Sequence, residues 1–157
     1  MFEFMRFLHI LLTFTLFLGL GTTMMNMRQS RNVDSPVELL PLWQASARAG
    51  SWFITPSGIL LFVFGYLAAE LGGYSIFSTG WLLTSLFLTL LLILAGIFVM
   101  RPHALLVIRE IQGAISSGGG MTDSLLARLR SPIPRLTGML QMVLVLVIIV
   151  LMVFKPF

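Results

Sequence analysis

Hydrophobic residues along the chain gather into four long runs, at approximately 4–25, 53–72, 81–100 and 136–154. Each is long enough to cross a bilayer as a helix, which takes about 20 residues. In hydrocarbon every backbone N–H and C=O needs an internal partner, so the runs predict helices and not strands. The expected fold is all-α: a four-helix transmembrane bundle with amphipathic cytoplasmic connections, forming a single integral membrane domain over residues 1–157. The first run resembles a secretory signal in position only. It is long, no A-x-A-like site follows it, and Arg28 and Arg31 lie after it, so it is expected to stay as a membrane helix.

Three connections of unequal character separate the runs. Residues 26–52 hold Arg28, Arg31 and Arg48, and residues 101–135 hold Arg101, Arg109, Arg128, Arg130 and Arg135. The short "GYSIFSTG" at 73–80 holds no Lys or Arg. In a four-span chain the two arginine-rich connections share a side, opposed by Arg6 and Lys155. The positive-inside rule then places both termini outside and both long connections in the cytoplasm.

Both long connections carry helix signals. In "DSPVELLPLWQASARAG", Ser35 and Glu38 have capping-box spacing and Pro36 suits a first helical turn. Pro41 argues for a later start and Gly50 for a stop, with Leu40, Trp43 and Ala47 on one face. "RPHALLVIREIQGAI" is expected to extend the third helix past a proline kink, "SSGGG" to break it, and "TDSLLARLRSP" to form a short capped helix. Leu125, Leu126 and Leu129, opposed by Arg128 and Arg130, suit the lipid headgroup interface. Arg101, Arg109, Arg128, Arg130 and Arg135 are thus expected to meet anionic lipid headgroups. No internal repeat stands out.

Composition narrows the chemistry. The 157 residues are 57% hydrophobic and only 10% charged, where a soluble domain carries about 25% charged residues. Mean hydropathy is +0.98. The absence of cysteine excludes disulfides, thiolate metal sites and cysteine nucleophiles. The net charge of +4 is explained by the membrane setting, and nucleic acid is not expected as a partner. The glycines at 118–120 lack the Gly-Lys-Ser/Thr of a phosphate loop, no zinc motif is present, and nothing arranges Ser, His and acid as a triad.

The candidate site centres on His9, a lone imidazole in "FMRFLHILLTFTLFLGLG". At about 1.5 Å per residue, His9 lies roughly 9 Å to the outer side of the first helix's midpoint, and Glu70 about 10 Å on the same scale. Tyr66, Thr84, Ser85 and Met152 fall in the same layer, below a surface marked by Tyr74, Trp81 and Lys155. His103 belongs to the opposite face. With about 30 Å of hydrocarbon between faces, the two histidines cannot clamp one metal in a protomer. The open readings of His9 are a polar anchor, a haem ligand with Met152, a metal ligand with Glu70, or a proton carrier. The ten methionines are scattered and are expected to be packing residues. Gly65 with Ala69, and Ala69 with Gly73, have small-xxx-small spacing suited to close helix contact.

Several stretches together resemble a bacterial family of predicted membrane proteins, domain of unknown function 2269. They are "RFLHILLTFTLFLGLG", "WFITPSGILLFVFGY", "TGWLLTSLFLTLLLILAGIFVMRP" and the ending "LMVFKP". The resemblance covers nearly the whole chain and implies a four-helix protein of the bacterial inner membrane. More distantly, the Leu-His pair followed by a small glycine region is similar to copper-resistance-D-like proteins and to the haem-binding, protoporphyrinogen-oxidising membrane family. By that similarity His9 would be an axial haem ligand. From the residues themselves the expected function is non-enzymatic: an accessory subunit or scaffold of a membrane complex, partnered by other membrane subunits or by copies of itself. The alternative is a haem- or metal-binding redox protein that uses His9.

Overall fold

The computed structural model describes residues 1–118 and 120–156, and these fold as an all-α bundle of four long apolar helices with no strand among them. The first helix, α1, spans Phe2–Gln29 and closes with Arg28 in its last turn, where a cation meets the negative end of the helix dipole. A short 3-10 turn, Ser30–Asn32, leads out of it.

The second long helix begins with α2, Pro36–Ala49. Pro36 opens it because its fixed φ suits the first turn and its missing N–H is not needed there. Ser35 stands at the cap position but its side chain makes no capping bond. Pro41 sits inside α2 and does not delay its start. The carbonyl it leaves without a donor is that of Val37, in the first turn, where the chain is exposed and water can serve it. Gly50 is also not a stop. Its φ of −59° and ψ of −46° are right-handed helical, and the chain runs on through a π turn, Gly50–Ile54, into α3, Thr55–Leu71. Gly50 therefore lacks the left-handed conformation that a terminating glycine supplies.

The third long helix repeats this construction. Helix α4, Gly80–Ala95, passes through a π turn at Gly96–Met100 into α5, Arg101–Ser116. In both turns the residue before a proline donates its N–H five residues back: Thr55 to Gly50 and Arg101 to Gly96. A proline ring clashes with the carbonyl four residues earlier in a regular helix. The wider turn moves that carbonyl aside, so Pro56 and Pro102 are accommodated without ending either helix. The two segments share the pattern Ala-Gly-x5-Pro, at Ala49–Pro56 and Ala95–Pro102.

At the "SSGGG" stretch α5 ends at Ser116 and Gly118 adopts φ 66°, while Gly119 lies outside the described residues. Helix α6, Asp123–Leu129, starts at Thr122, whose hydroxyl accepts from the Leu125 N–H. Ser131 and Pro132 restart the chain as α7, Pro132–Phe154.

Four spanning segments pack in the order α1, α3, α4, α7, each along the next, whereas α7 and α1 meet at few points. The molecule has two distinct ends. At one, the Phe2 ring lies beside Gly72, and Lys155 Nζ donates to the Tyr74 hydroxyl at 2.8 Å. Both termini and the short connection therefore share an end. At the other, α2 packs on α5, Asn26 donates to Ser46 at 3.2 Å, and Arg128 of α6 pairs with Glu110 of α5. This arginine-rich cap has its own apolar core of Leu39, Trp43, Val107, Ile111, Ala114 and Leu125. The buried face of α2 is centred on Leu39, Trp43 and Ser46, with Leu40 at its edge. Leu125 enters this core, fully buried, where the sequence pattern placed it at the lipid interface.

Candidate functional site

His9 lies two turns into α1, facing α3 where that helix carries Gly65. A Cβ at Gly65 would stand 3.1 Å from Cε1 of the imidazole and 3.3 Å from Nδ1. Glycine is needed there because the ring occupies the space a side chain would take. Nδ1 is closed off against α3 beside Gly65, without a hydrogen-bond partner among the described residues. Nε2 is not enclosed in this way, and His9 lines the space between the helices.

That interior is a cavity of about 360 Å³ between α1, α3, α4 and α7. Its walls are almost wholly apolar. Besides His9, the polar side chains at its surface are Thr13, Ser85 and Thr89. Each hydroxyl donates to the carbonyl one turn back on its own helix: Thr13 to His9 at 2.9 Å, Ser85 to Trp81 at 2.8 Å, and Thr89 to Ser85 at 2.8 Å. Such back-bonding satisfies the hydroxyl proton locally and leaves its oxygen as an acceptor. Ile10, Phe14 and Val153, all exposed, stand at the rim. The opening therefore lies along the seam where α1 and α7 barely touch.

Of the layer anticipated from helix depth, His9, Ser85 and Met152 line this cavity. Tyr66 and Glu70 are exposed on α3 and lie outside its lining, as does Thr84. His9 and Met152 thus share a cavity, and Glu70 stands apart from it. Among the described residues no group of three or more His, Asp or Glu side chains is placed to hold a metal ion. Above the cavity, Lys155 lies 5.0 Å from the Tyr74 ring centre and 5.6 Å from that of Trp81, and the two rings meet edge to face at 5.6 Å. This cluster ties the end of α7 to the start of α4.

The cap presents different chemistry. The rings of His103 and Trp43 stand 6.1 Å apart at 49°, placing His103 at the opposite end from His9. Among the described residues, His103 Nε2, Trp43 Nε1 and Glu110 Oε2 are enclosed without hydrogen-bond partners. Arg101, Arg109, Arg130 and Arg135 are exposed, and Arg128 is partly covered through its pairing with Glu110. Between cap and His9 cavity lies a smaller space of about 130 Å³ bordered by both π turns and by Gln141. Gln141 is buried and directs its amide toward the Leu92 carbonyl at 3.5 Å. Sequence reasoning passed over Gln141. The signal available was a lone amide in the apolar "GMLQMVLVLV", which belongs inside the bundle on energetic grounds.

Four helices with large apolar side chains exposed along their lengths, including Phe14, Leu18, Phe87, Leu146 and Val153, cannot stand in water. Such a surface fits lipid, and the protein is an integral membrane protein of the polytopic α-helical class. The model of the DUF2269 family, described as predicted integral membrane proteins, matches residues 3–156, and the chain belongs to that family. Comparison with curated proteins and with solved structures gives no match.

Proposed function

We propose that this protein is a non-enzymatic accessory subunit of a membrane complex in the bacterial inner membrane, its termini periplasmic and its arginine-rich cap cytoplasmic. The observation that carries the reading is the cap. Connections between packed helices commonly take about 2–8 residues. Here two long connections are instead folded together, with α2, α5 and α6 enclosing a separate apolar core. Turning the chain around does not require this, whereas offering a shaped surface to a partner does. The exposed arginines at the same end support the cytoplasmic placement and contact with anionic headgroups.

The test is native electrophoresis of the tagged protein, expressed at its natural level and extracted in digitonin. A particle heavier than the protomer, containing a second protein at fixed stoichiometry and lost in Val107→Asp, supports the reading. A lone protomer or a pure homo-oligomer from native membranes would contradict it.

A further inference from the structure

The His9 cavity has a chemical bias that its apolar walls do not by themselves explain. A neutral imidazole carries one N–H. Nδ1 is enclosed against Gly65 without a partner, so Nε2 is the nitrogen free to meet an occupant, and with the proton on Nδ1 it does so as an acceptor. The three hydroxyls at the surface have directed their protons into their own helices. The three hydroxyl oxygens are thus left as acceptors, and His9 Nε2 joins them in the Nδ1–H tautomer. A water molecule needs about 2–4 polar partners to settle, and these walls are nearly all hydrocarbon.

We propose that this cavity binds a lipid-dissolved phenol or hydroquinone, whose hydroxyl donates to His9 Nε2. The volume, about 360 Å³, falls within the range of roughly 300–1,000 Å³ typical of small-molecule sites. Phe14, Phe17 and Phe62 line it, so an aromatic head finds edge and face contacts. The mouth at the α1–α7 seam, rimmed by Ile10, Phe14 and Val153, opens sideways rather than toward either end, so the ligand arrives from the bilayer and an alkyl or prenyl tail stays in it. A phospholipid is a poorer occupant: at about 9 Å from the midplane its acyl chains carry no O–H to donate. This inference is independent of the accessory-subunit reading and proposes binding alone, with no electron transfer.

The experiment places the purified full chain in nanodiscs of dimyristoylphosphatidylcholine, under reducing conditions. Retention of 2-decyl-1,4-benzohydroquinone is measured against its dimethyl ether and against empty discs. The expected result is saturable binding of the hydroquinone above the empty-disc level, with the ether at least tenfold weaker. His9→Phe, which keeps the volume and removes the acceptor, brings the hydroquinone down to the level of the ether. Ile149→Trp, which fills the cavity, abolishes both. The ether comparison uses the unaltered protein, so it decides the matter even where a variant fails to fold. No saturable binding above empty discs overturns the proposal, as does equal binding of hydroquinone and ether. Purified protein that carries stoichiometric haem, lost in His9→Phe, also overturns it by giving the cavity to a metalloporphyrin.

Discussion

Gly65 exists as glycine because an imidazole from another helix lies against it. Gly58 and Gly65 on α3, and Gly72 just past its end, recur every seven residues, two turns apart. Their would-be Cβ atoms meet Ile93 of α4 at 3.1 Å, His9 of α1 at 3.1 Å and the Phe2 ring at 3.1 Å. Of the four-residue spacing Gly65, Ala69 and Gly73, only the first two positions therefore belong to helix packing. Gly65 and the buried Ala69 serve packing within the chain, and Gly73 makes a turn at φ 76°. Small residues announce close approach in a sequence but do not name the partner helix. The same distinction gives a prediction. A Cβ at Gly19 would stand 2.7 Å from Ile54 Cγ1, whereas nothing lies within 4 Å of one at Gly21. Gly19→Ala is expected to lower unfolding free energy by about 1–3 kcal/mol, as overpacking does. Gly21→Ala should be neutral or stabilising by up to about 1 kcal/mol, since alanine is the better helix former. Thermal unfolding in one detergent, side by side, checks both.

At the scale of elements, apolar run length was enough to locate four helices, because the cost of unpaired backbone in lipid allows no other solution. What it did not show is how those helices pass their prolines. Gly50 and Pro41 carry strong local signals for breaks, yet neither breaks the helix. A glycine ends a helix only when the chain turns left-handed there, and the apolar residues after Gly50 gain more from continuing into the bundle. The shared Ala-Gly-x5-Pro segments were visible as letters, but their meaning depends on a π turn that periodicity cannot reveal. Two substitutions test the bonding described. Thr122→Ala removes the hydroxyl that caps α6 and should cost about 1 kcal/mol, read as faster amide exchange in α6. Gln141→Leu replaces a buried amide whose bond to the Leu92 carbonyl is long at 3.5 Å. Interhelical side-chain bonds in membranes average about 0.6 kcal/mol. The midpoint of unfolding by SDS should therefore move little, and a loss of several kcal/mol would show that Gln141 has a stronger partner.

For the whole molecule, depth estimates brought His9, Ser85 and Met152 into one layer, and the structure brings those three to one cavity. Depth fixes height and leaves rotation open, which is why Glu70 and Tyr66 share the level and face outward. Nor does the sequence pattern tell that the ring of helices is left nearly open between α1 and α7, or that the two long connections close over a common core. Those are properties of packing between segments distant in the chain. They give the molecule a basic end with its own apolar core, an opposite end that gathers both termini, and a lateral opening beside His9. The proposed orientation puts these two ends on opposite sides of the membrane, with the cap inside. The absence of cysteine makes this directly measurable, since a single introduced thiol is the only one present. Ser78→Cys places it in the exposed short connection and Ala127→Cys on the exposed surface of α6. In intact cells a membrane-impermeant maleimide should label the first at once and the second only after permeabilisation. Labelling of Ala127→Cys in intact cells, with Ser78→Cys protected, would contradict the account.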